Sequence, residues 1–517
     1  MKYLPTDVSS FKVMRTQNYL YVDKTKDIYD LFSGGSRYYF LSRPRRFGKS
    51  LLVSTLKELF SGNKELFNGL WISTSNYDWQ KYPVIHLDFS IIDHETTQEL
   101  KLSIDWALDE IARNYNLDIS KAPTSGAKLV LLIRELSKIN KVVILIDEYD
   151  KPLLDHLHDI KRARAQRAAL KRFFDVLKGM DDYLRAVFIT GVSKFSKTSL
   201  FSGINNLNDI SLKPESATLL GYTQEELETY FMPYIQEIAQ STKKEESHIL
   251  KDIKIWYNGY RFTRENKKVY NPFSVLYYLK DKDLENYWFE SGTPSFLIQL
   301  LKEQFVALKD LKELEVTRDT LGTFEIENIP LTPLLFQAGY LTISDYNSDT
   351  KRFKLNYPNY EVEESFKKYL IATLTYNQSA TVDTALIHLV KALENNQIDI
   401  FCEILKNLFA HIPYLLHIKK ESYYHSLFQF LFSLLSLEAQ SEIMTNQGRI
   451  DMALITKTHV YIFELKIEIS AQKALDQIKE RKYYERYNHL NKNIILIGLS
   501  FIGKTKLSLD YIYEQLN

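Results

Sequence analysis

Tyr38 to Leu52 reads YYFLSRPRRFGKSLL. Tyr38, Tyr39, Phe40 and Leu41 form an apolar run long enough for one buried strand. A loop from Arg43 to Phe47 follows, and Gly48, Lys49 and Ser50 lead straight into the helix-forming run Leu51 to Phe60. Strand, loop, Gly-Lys-Ser and helix, in that order, are the parts of a phosphate-binding loop. Backbone N–H groups from Arg45, Arg46, Phe47, Gly48, Lys49, Ser50 and Leu51 would surround phosphates at the helix start. The Lys49 ammonium would reach the outer phosphates, and the Ser50 hydroxyl would be a ligand for Mg²⁺. The usual pattern has a glycine five positions before Gly48; here that position is Arg43, and Pro44 after it removes one backbone donor.

The other half of such a site stands about a hundred residues downstream. Asn140 to Asp150 reads NKVVILIDEYD, and Val142 to Ile146 is continuously apolar, as strands buried on both faces of a parallel sheet are. Asp147 and Glu148 close that strand at its C-terminal end, where open α/β sheets hold their ligands. Asp147 is placed to hold Mg²⁺ through water and Glu148 to orient or deprotonate the attacking water. Between the two motifs Pro83 to Ser90 reads as a strand, and Glu99 to Tyr115 and Ala127 to Asn140 as amphipathic helices. That alternation predicts a parallel sheet of the P-loop NTPase kind.

The stretches SRPRRFGKSLL, VVILIDEYDKPL, FITGVSKFSKTSLFSGINNL (Phe188 to Leu207) and NYWFESGTPSFL (Asn286 to Leu297) together resemble the AAA-ATPase-like family of bacterial proteins. The resemblance runs over nearly the whole chain, and Arg43 in place of the first glycine is the family's own habit. It implies ATP as a cofactor and a PD-(D/E)XK nuclease-like domain at the C-terminus. It also implies that Thr190 or Ser193, after the strand Leu184 to Thr190, senses the terminal phosphate. Lys194 and Lys197 are nearby cations for a transferring phosphate.

The C-terminal part has its own order: the apolar helix Glu421 to Ser436, strands at Gln440 to Thr445, Gly448 to Ile455 and His459 to Lys466, the helix Ala471 to Tyr487 and a final strand Asn493 to Phe501. Helix, three strands, helix and strand is the core of PD-(D/E)XK nucleases. Asp451 sits in the second strand. Glu464 and Lys466, two apart on the third, project to one face because strand side chains alternate. Two carboxylates on adjacent strands can share Mg²⁺, and the lysine can position water or neutralise charge on a scissile phosphate. By resemblance Glu442 or Glu421 completes the site, and Gln477 and Tyr483 match the family's recurring positions. His425, among aromatic neighbours, reads as a structural histidine.

At 517 residues, a formal charge of +1 gives no global attraction to nucleic acid, so any such binding comes from local patches. The single Cys402 excludes an internal disulfide or a multi-Cys zinc site. No uncharged apolar run spans a membrane, and the N-terminus has no apolar signal region, so a cytoplasmic protein is expected. The basic run Lys161 to Lys178 reads as a solvated helix face. Pro333 to Leu355 reads as helix and hairpin, compatible with a winged-helix-like connector, and Thr381 to Glu403 as a helical spacer.

The expected fold class is therefore α/β, with four parts. Residues 1–215 are a P-loop AAA-like ATPase domain, 216–285 a helical lid, 286–380 a mostly helical, winged-helix-like middle region, and 381–517 the nuclease-like α/β domain with its helical linker. The expected function is ATP binding and hydrolysis coupled to Mg²⁺-dependent cleavage of phosphodiester bonds, DNA before RNA, with homo-oligomerisation left open. The competing expectation is a nucleotide-dependent switch whose nuclease-like domain only binds.

Overall fold

The computed structural model describes all residues except 196–199, 202–203, 205, 291–296, 298–299, 301–313, 411, 413–420, 436, 446–447, 503–507 and 517, and describes no side chains at 290, 421–423, 426 and 438–450. The chain divides into two compact units, Met1–Leu297 with Asp310–Val362, and Ile298–Lys309 with Glu363–Asn517.

In the first unit short helices α1 (Phe11–Thr16) and α2 (Thr25–Ser33) precede β1 (Tyr38–Ser42). Then come α3 (Lys49–Phe60), β2 (Val84–Asp88), α4 (Thr97–Asn114), α5 (Ser125–Ser137), β3 (Val142–Asp147), α6 (Lys151–Leu154), α7 (Ile160–Phe174), β4 (Leu184–Gly191) and β5 (Asn208–Asp209). The strands form one parallel sheet in the order β2-β3-β4-β1-β5. Every residue of β1 and β3 is buried, which is why both read as unbroken apolar runs. This order sets the C-terminal ends of β1 and β3 on either side of β4, at one rim of the sheet.

Helices α8 (Gln224–Thr242), α9 (Glu246–Tyr257) and α10 (Pro272–Asp281) form the helical lid. Thr223 and Glu226 make the capping box that opens α8, as their spacing predicts. Beyond it, β6 (Leu314–Val316), α11 (Leu331–Ala338), β7 (Thr342–Asn347) and β8 (Arg352–Asn356) give the expected helix and hairpin, with β6 added in the order β6-β8-β7. The basic face of α7 is ion-paired within this unit: Arg162 to Glu95 (2.6 Å), Arg164 to Glu327 (2.8 Å) and Arg167 to Glu325 and Glu327 (3.1 and 2.9 Å).

The second unit carries α12 (Ser379–Glu394), α13 (Ile398–Phe409), α14 (Glu421–Ser433), β9 (Glu438–Thr445), β10 (Gly448–Ile455), β11 (His459–Ile467), α15 (Ala471–Glu480), β12 (Asn493–Ile502) and β13 (Ser508–Leu516). The sheet order is β13-β12-β11-β10-β9; β9, β10 and β11 are an antiparallel meander, and α15 crosses over to make β12 parallel to β11. One sheet face, with Ala453, Ile455, Val460, Ile462, Ile494 and Leu496, packs under Leu475 and Ile478 of α15. The other presents Phe463 to Phe401 and Phe432, and Phe501 to Phe409, Tyr424 and Phe428.

Two expectations change here. The stretch read as a spacer contains the start of α13, whose Phe401, Cys402, Leu405 and Leu408 are buried, so it covers the sheet instead of linking to it. The strand read as final, Asn493 to Phe501, is not the last: β13 pairs antiparallel with β12 from Ser508 to Leu516.

Gly498, opposite Glu464 on the neighbouring strand, lies close under the backbone of α15. A β-carbon there would lie 2.3 Å from the Ala471 carbonyl oxygen and 2.8 Å from the Leu475 nitrogen, both backbone atoms. Gly498→Ala should therefore push α15 off the sheet at a cost of about 1–3 kcal/mol. Faster amide exchange over α15 and β12, with the first unit unchanged, is the expected reading; unchanged exchange would contradict it.

Candidate functional sites

The phosphate loop is shaped by two left-handed residues. Gly48 (φ 87°) is the N-cap of the 12-residue α3, and Arg46 (φ 62°) turns the chain two residues earlier. Phe47 between them is buried against Tyr260 and Phe262, with ring centroids 4.7 and 5.5 Å away. The Trp288 indole N–H donates to the Arg45 carbonyl at 3.0 Å. Gly339, at the C-terminus of α11, leaves room for Pro44, whose ring carbons would lie 2.7 Å from a β-carbon there. The loop backbone is thus fixed from outside, with its N–H groups at a helix start.

Lys49 is buried and donates to the carbonyls of Arg43 (3.1 Å) and Pro44 (2.9 Å). Burial lowers its pKa, opposed by the nearby Glu148, Asp147 and Asp150 carboxylates. Burial likewise pushes Asp147 up to about 6, opposed by a hydrogen bond with Ser50 and by the Lys49 charge. The predicted Mg²⁺ ligands, Ser50 and Asp147, are therefore neighbours. Glu148 follows in a left-handed conformation (φ 50°), its N–H donating back to Asp147 Oδ1 at 3.0 Å. Strain of this kind in a non-glycine residue collects at functional sites.

Arg43 does not face the phosphates. It is 2% exposed, and its guanidinium donates to the carbonyls of Ser42 and Ser211 (2.9 Å each) and of Ser216 (2.7 Å), 4.2 Å above the Phe262 ring.

The loop opens on a cavity of about 510 Å³, a size suited to a nucleotide. Arg45, Arg46, Phe47, Gly48, Lys49, Ser50, Leu51 and Glu148 line it. The opposite walls are Pro5–Ser9, Leu20–Val22, Leu219–Tyr222, and Pro272, Phe273 and Leu276 of the lid. Two stretches of the N-terminal segment, Pro5–Ser9 and Leu20–Val22, are thus a wall of the site. A 12-residue helix start, an amine, a hydroxyl and two carboxylates beside an apolar chamber fit a magnesium nucleotide.

Thr190 and Ser193 both sit at the end of β4, fully buried, and neither hydroxyl has a hydrogen-bond partner. Neither lines the cavity; Val192 does. Lys194 is buried and paired with Asp209 at 3.2 Å, so it does not serve as the cation there, and Lys197 lies outside the described residues. Sequence reasoning missed Asp150. Its buried carboxylate accepts from the N–H groups of Val192 (3.0 Å) and Ser193 (2.6 Å), while the Tyr149 hydroxyl donates to the Ser193 carbonyl (2.8 Å). In DEYD Glu148 and Asp150 both line the cavity, and Asp150 with Tyr149 also clamps the loop after β4. The signal is a second aspartate three residues after Asp147.

Beside this cavity His94 bonds Asp155 (3.1 Å), which also takes a hydrogen bond from Lys151 (2.9 Å). The bond to Asp155 raises the His94 pKa. Burial raises that of Asp155, but the bonds from His94 and Lys151 outweigh it and hold the carboxyl at about 2. For the histidine, the stabilisation is complete below about pH 6.5 and fades as pH rises through its raised value. For Asp155 it is complete above about pH 3.9 and fades toward 2. His94→Gln should flatten the loss of thermal stability between pH 6.5 and 8; equal pH slopes in the two proteins would refute the pairing.

In the second unit Met452 stands opposite Phe463, so Asp451 and Glu464, one step further along the same antiparallel pair, share the other face. Asp451 Oδ2 accepts from the Leu465 backbone N–H at 2.9 Å, bringing its carboxylate onto β11 beside Glu464. Lys466 donates to Glu464 Oε1 at 2.9 Å, and Gln477 of α15 donates to the same oxygen. The predicted trio and Gln477 are thus brought together. Tyr483 instead is buried in the core under the sheet. The side chains of Glu421 and Glu442 lie outside the described residues.

His425 of α14, read as structural, comes 3.7 Å from Asp451 Oδ2. Among the described residues no three His, Cys, Asp or Glu side chains converge on one point. Two carboxylates fit Mg²⁺, which binds through one or two acids and keeps its waters.

A family model described as a predicted AAA-ATPase matches residues 5–201, and one described as the PD-(D/E)XK nuclease superfamily matches residues 419–510. An uncharacterized protein in the vnfD 5' region of Azotobacter chroococcum mcd 1 is 36% identical over 529 residues, covering 100% of this chain and 99% of that protein. Among solved structures, the Aeropyrum pernix ORC1 protein in complex with DNA is 12% identical, with a TM-score of 0.25, over 69% of this chain and 96% of that one. The Aeropyrum pernix ORC2 protein in its ADPNP-ADP complexes is 11% identical, with a TM-score of 0.24, over 67% and 92%. This chain belongs to the AAA-ATPase-like family, with a PD-(D/E)XK nuclease domain at its C-terminus.

Proposed function

We propose that the protein binds and hydrolyses ATP and cleaves phosphodiester bonds of nucleic acid, DNA in preference to RNA, with Mg²⁺ at both sites. The observation that carries this reading is the Asp451, Glu464 and Lys466 group on one sheet face, in a chain that also has Lys49, Ser50 and Glu148 lining a nucleotide-sized cavity, with Asp147 hydrogen-bonded to Ser50.

In the first site the α3 start and Lys49 hold phosphate charge, exchanging loop carbonyls for phosphate oxygens. Glu148 takes the proton of the attacking water. In the second, Asp451 and Glu464 would hold the cation, and Lys466 places positive charge where the scissile phosphate gains negative charge. The bound cation supplies charge neutralisation and a more acidic water. A cytoplasmic location suits this reading, and no described helix is long and apolar enough to cross a membrane. A homo-oligomer is compatible with it.

The test is cleavage of linear, supercoiled and single-stranded DNA and of RNA, with Mg²⁺ or Mn²⁺, under ATP, a non-hydrolysable analogue or no nucleotide. Cleavage of DNA is expected; failure on every substrate under every nucleotide condition overturns it.

One observation favours the second reading, a nucleotide switch with a non-cleaving domain. Glu464 Oε1 already accepts from both Lys466 and Gln477. Calorimetry separates the two: a working site takes up a divalent cation in a manner lost in Asp451→Asn, and a switch does not.

A further inference from the structure

Five cations line the nucleotide cavity: Lys24, Arg45, Arg46, Lys49 and Lys151. Three are engaged by their surroundings. Lys24 pairs with Glu226 (2.6 Å) and the Thr218 carbonyl (2.8 Å), Lys151 with Asp155 (2.9 Å), and Lys49 with the loop carbonyls. The lid wall contributes no positive charge, since α10 presents only Pro272, Phe273 and Leu276. Whatever answers the last phosphate beyond Lys49 must therefore come from the loop itself.

That leaves Arg45, which is half-buried, and Arg46, and only Arg46 rests on a residue of the lid helix. It is exposed and has no carboxylate partner among the described residues, and its guanidinium rests 4.8 Å from the Phe273 ring of α10. Its backbone cannot drift, because φ is left-handed and Phe47 beside it is packed between Tyr260 and Phe262. Only the side chain is free to swing. Contact with a ring at an exposed site is worth about 0.5–1 kcal/mol, whereas a forked arginine–phosphate pair is stronger and directional. A phosphate within reach would draw the guanidinium off the ring.

We propose that Arg46 reads the terminal phosphate: it leaves Phe273 when a nucleoside triphosphate is bound, rests on Phe273 with a diphosphate or none, and so ties the state of the lid helix to the number of phosphates. This rests on the nucleotide reading above. It also supplies within one chain a positive charge that would otherwise need a neighbouring subunit.

The experiment is calorimetric titration of the full chain with Mg²⁺ and either ADP or a non-hydrolysable ATP analogue, in wild type, Arg46→Ala, Arg46→Lys and Phe273→Leu. Arg46→Ala should lose at least about tenfold in triphosphate affinity while ADP affinity stays within about twofold. Arg46→Lys should fall between, because a point charge replaces a fork. Phe273→Leu, which removes the competing ring, should tighten the triphosphate about two- to threefold. Equal losses for both nucleotides in Arg46→Ala, or no loss, overturn the proposal while leaving nucleotide binding standing. A wild type that binds neither nucleotide overturns the nucleotide reading as well.

Discussion

Arg43→Gly, which restores the residue that the usual phosphate loop has at this position, is expected to destabilise the first unit by roughly 3–5 kcal/mol and to bring no gain in nucleotide affinity. The guanidinium spans three separate pieces of backbone: the end of β1 at Ser42, the turn after β5 at Ser211, and Ser216, whose hydroxyl it also meets at 3.1 Å. Removing it leaves three carbonyls without that donor inside a region closed to water, and empties the space above Phe262. Charge-assisted bonds of this kind carry about 1.5–3 kcal/mol each, and glycine adds freedom to the unfolded chain. Affinity does not gain, because the side chain points away from the cavity. Scanning calorimetry should show the transition of the first unit falling while that of the second stays. A variant as stable as wild type with tighter ATP binding would sink the clamp account. Arg43→Lys should also be destabilised, since one ammonium cannot fork to all three carbonyls.

Lys466→Ala is expected to lower DNA cleavage by about 10²–10³-fold, with divalent-cation affinity largely kept. The amine stands on the same strand face as Glu464, two residues on, and donates to it at 2.9 Å, which puts its charge beside a phosphate bridged to Asp451 and Glu464 by a cation. The variant should stay folded, because Gln477 still donates to Glu464 and the opposite face of β11 keeps Phe463 against Phe401 and Phe432. Nicking rates at saturating Mg²⁺ or Mn²⁺ measure the effect. Rates unchanged by the substitution would remove Lys466 from the chemistry, and with it the reason for its place beside the acids.

What could be read from the sequence follows from how local each signal is. Val142 to Ile146 declares a buried parallel strand by itself, and the acids after it land at the sheet rim through chain connectivity alone. Glu464 and Lys466 share a face by alternation, which needs no tertiary information. The direction of the Arg43 side chain was not legible, because it is set by carbonyls about 170 residues later. Nor was the N-terminal wall of the cavity, which exists only once Pro5–Ser9 meets the lid. His425 approaches Asp451 through helix-on-sheet packing, for which twenty-five residues of intervening sequence give no ruler. Strand β13 escaped because it is an edge strand, mostly exposed and therefore weakly patterned. Thr381 to Glu403 reads as a spacer because it ends before Leu405, Leu408 and Phe409, which complete the apolar stripe of α13.

The outer wall of the phosphate loop has a practical bearing on how the protein can be cut. Tyr260, Phe262, Trp288 and Gly339, which brace Pro44, Arg45 and Phe47, all lie well past residue 215, where the parallel sheet is complete. A shortened polypeptide ending there would retain all five strands and the Gly-Lys-Ser signature, yet would expose Phe47 to solvent and release the Arg45 carbonyl. Poor nucleotide retention by such a fragment would report a missing buttress and not an inactive ATPase.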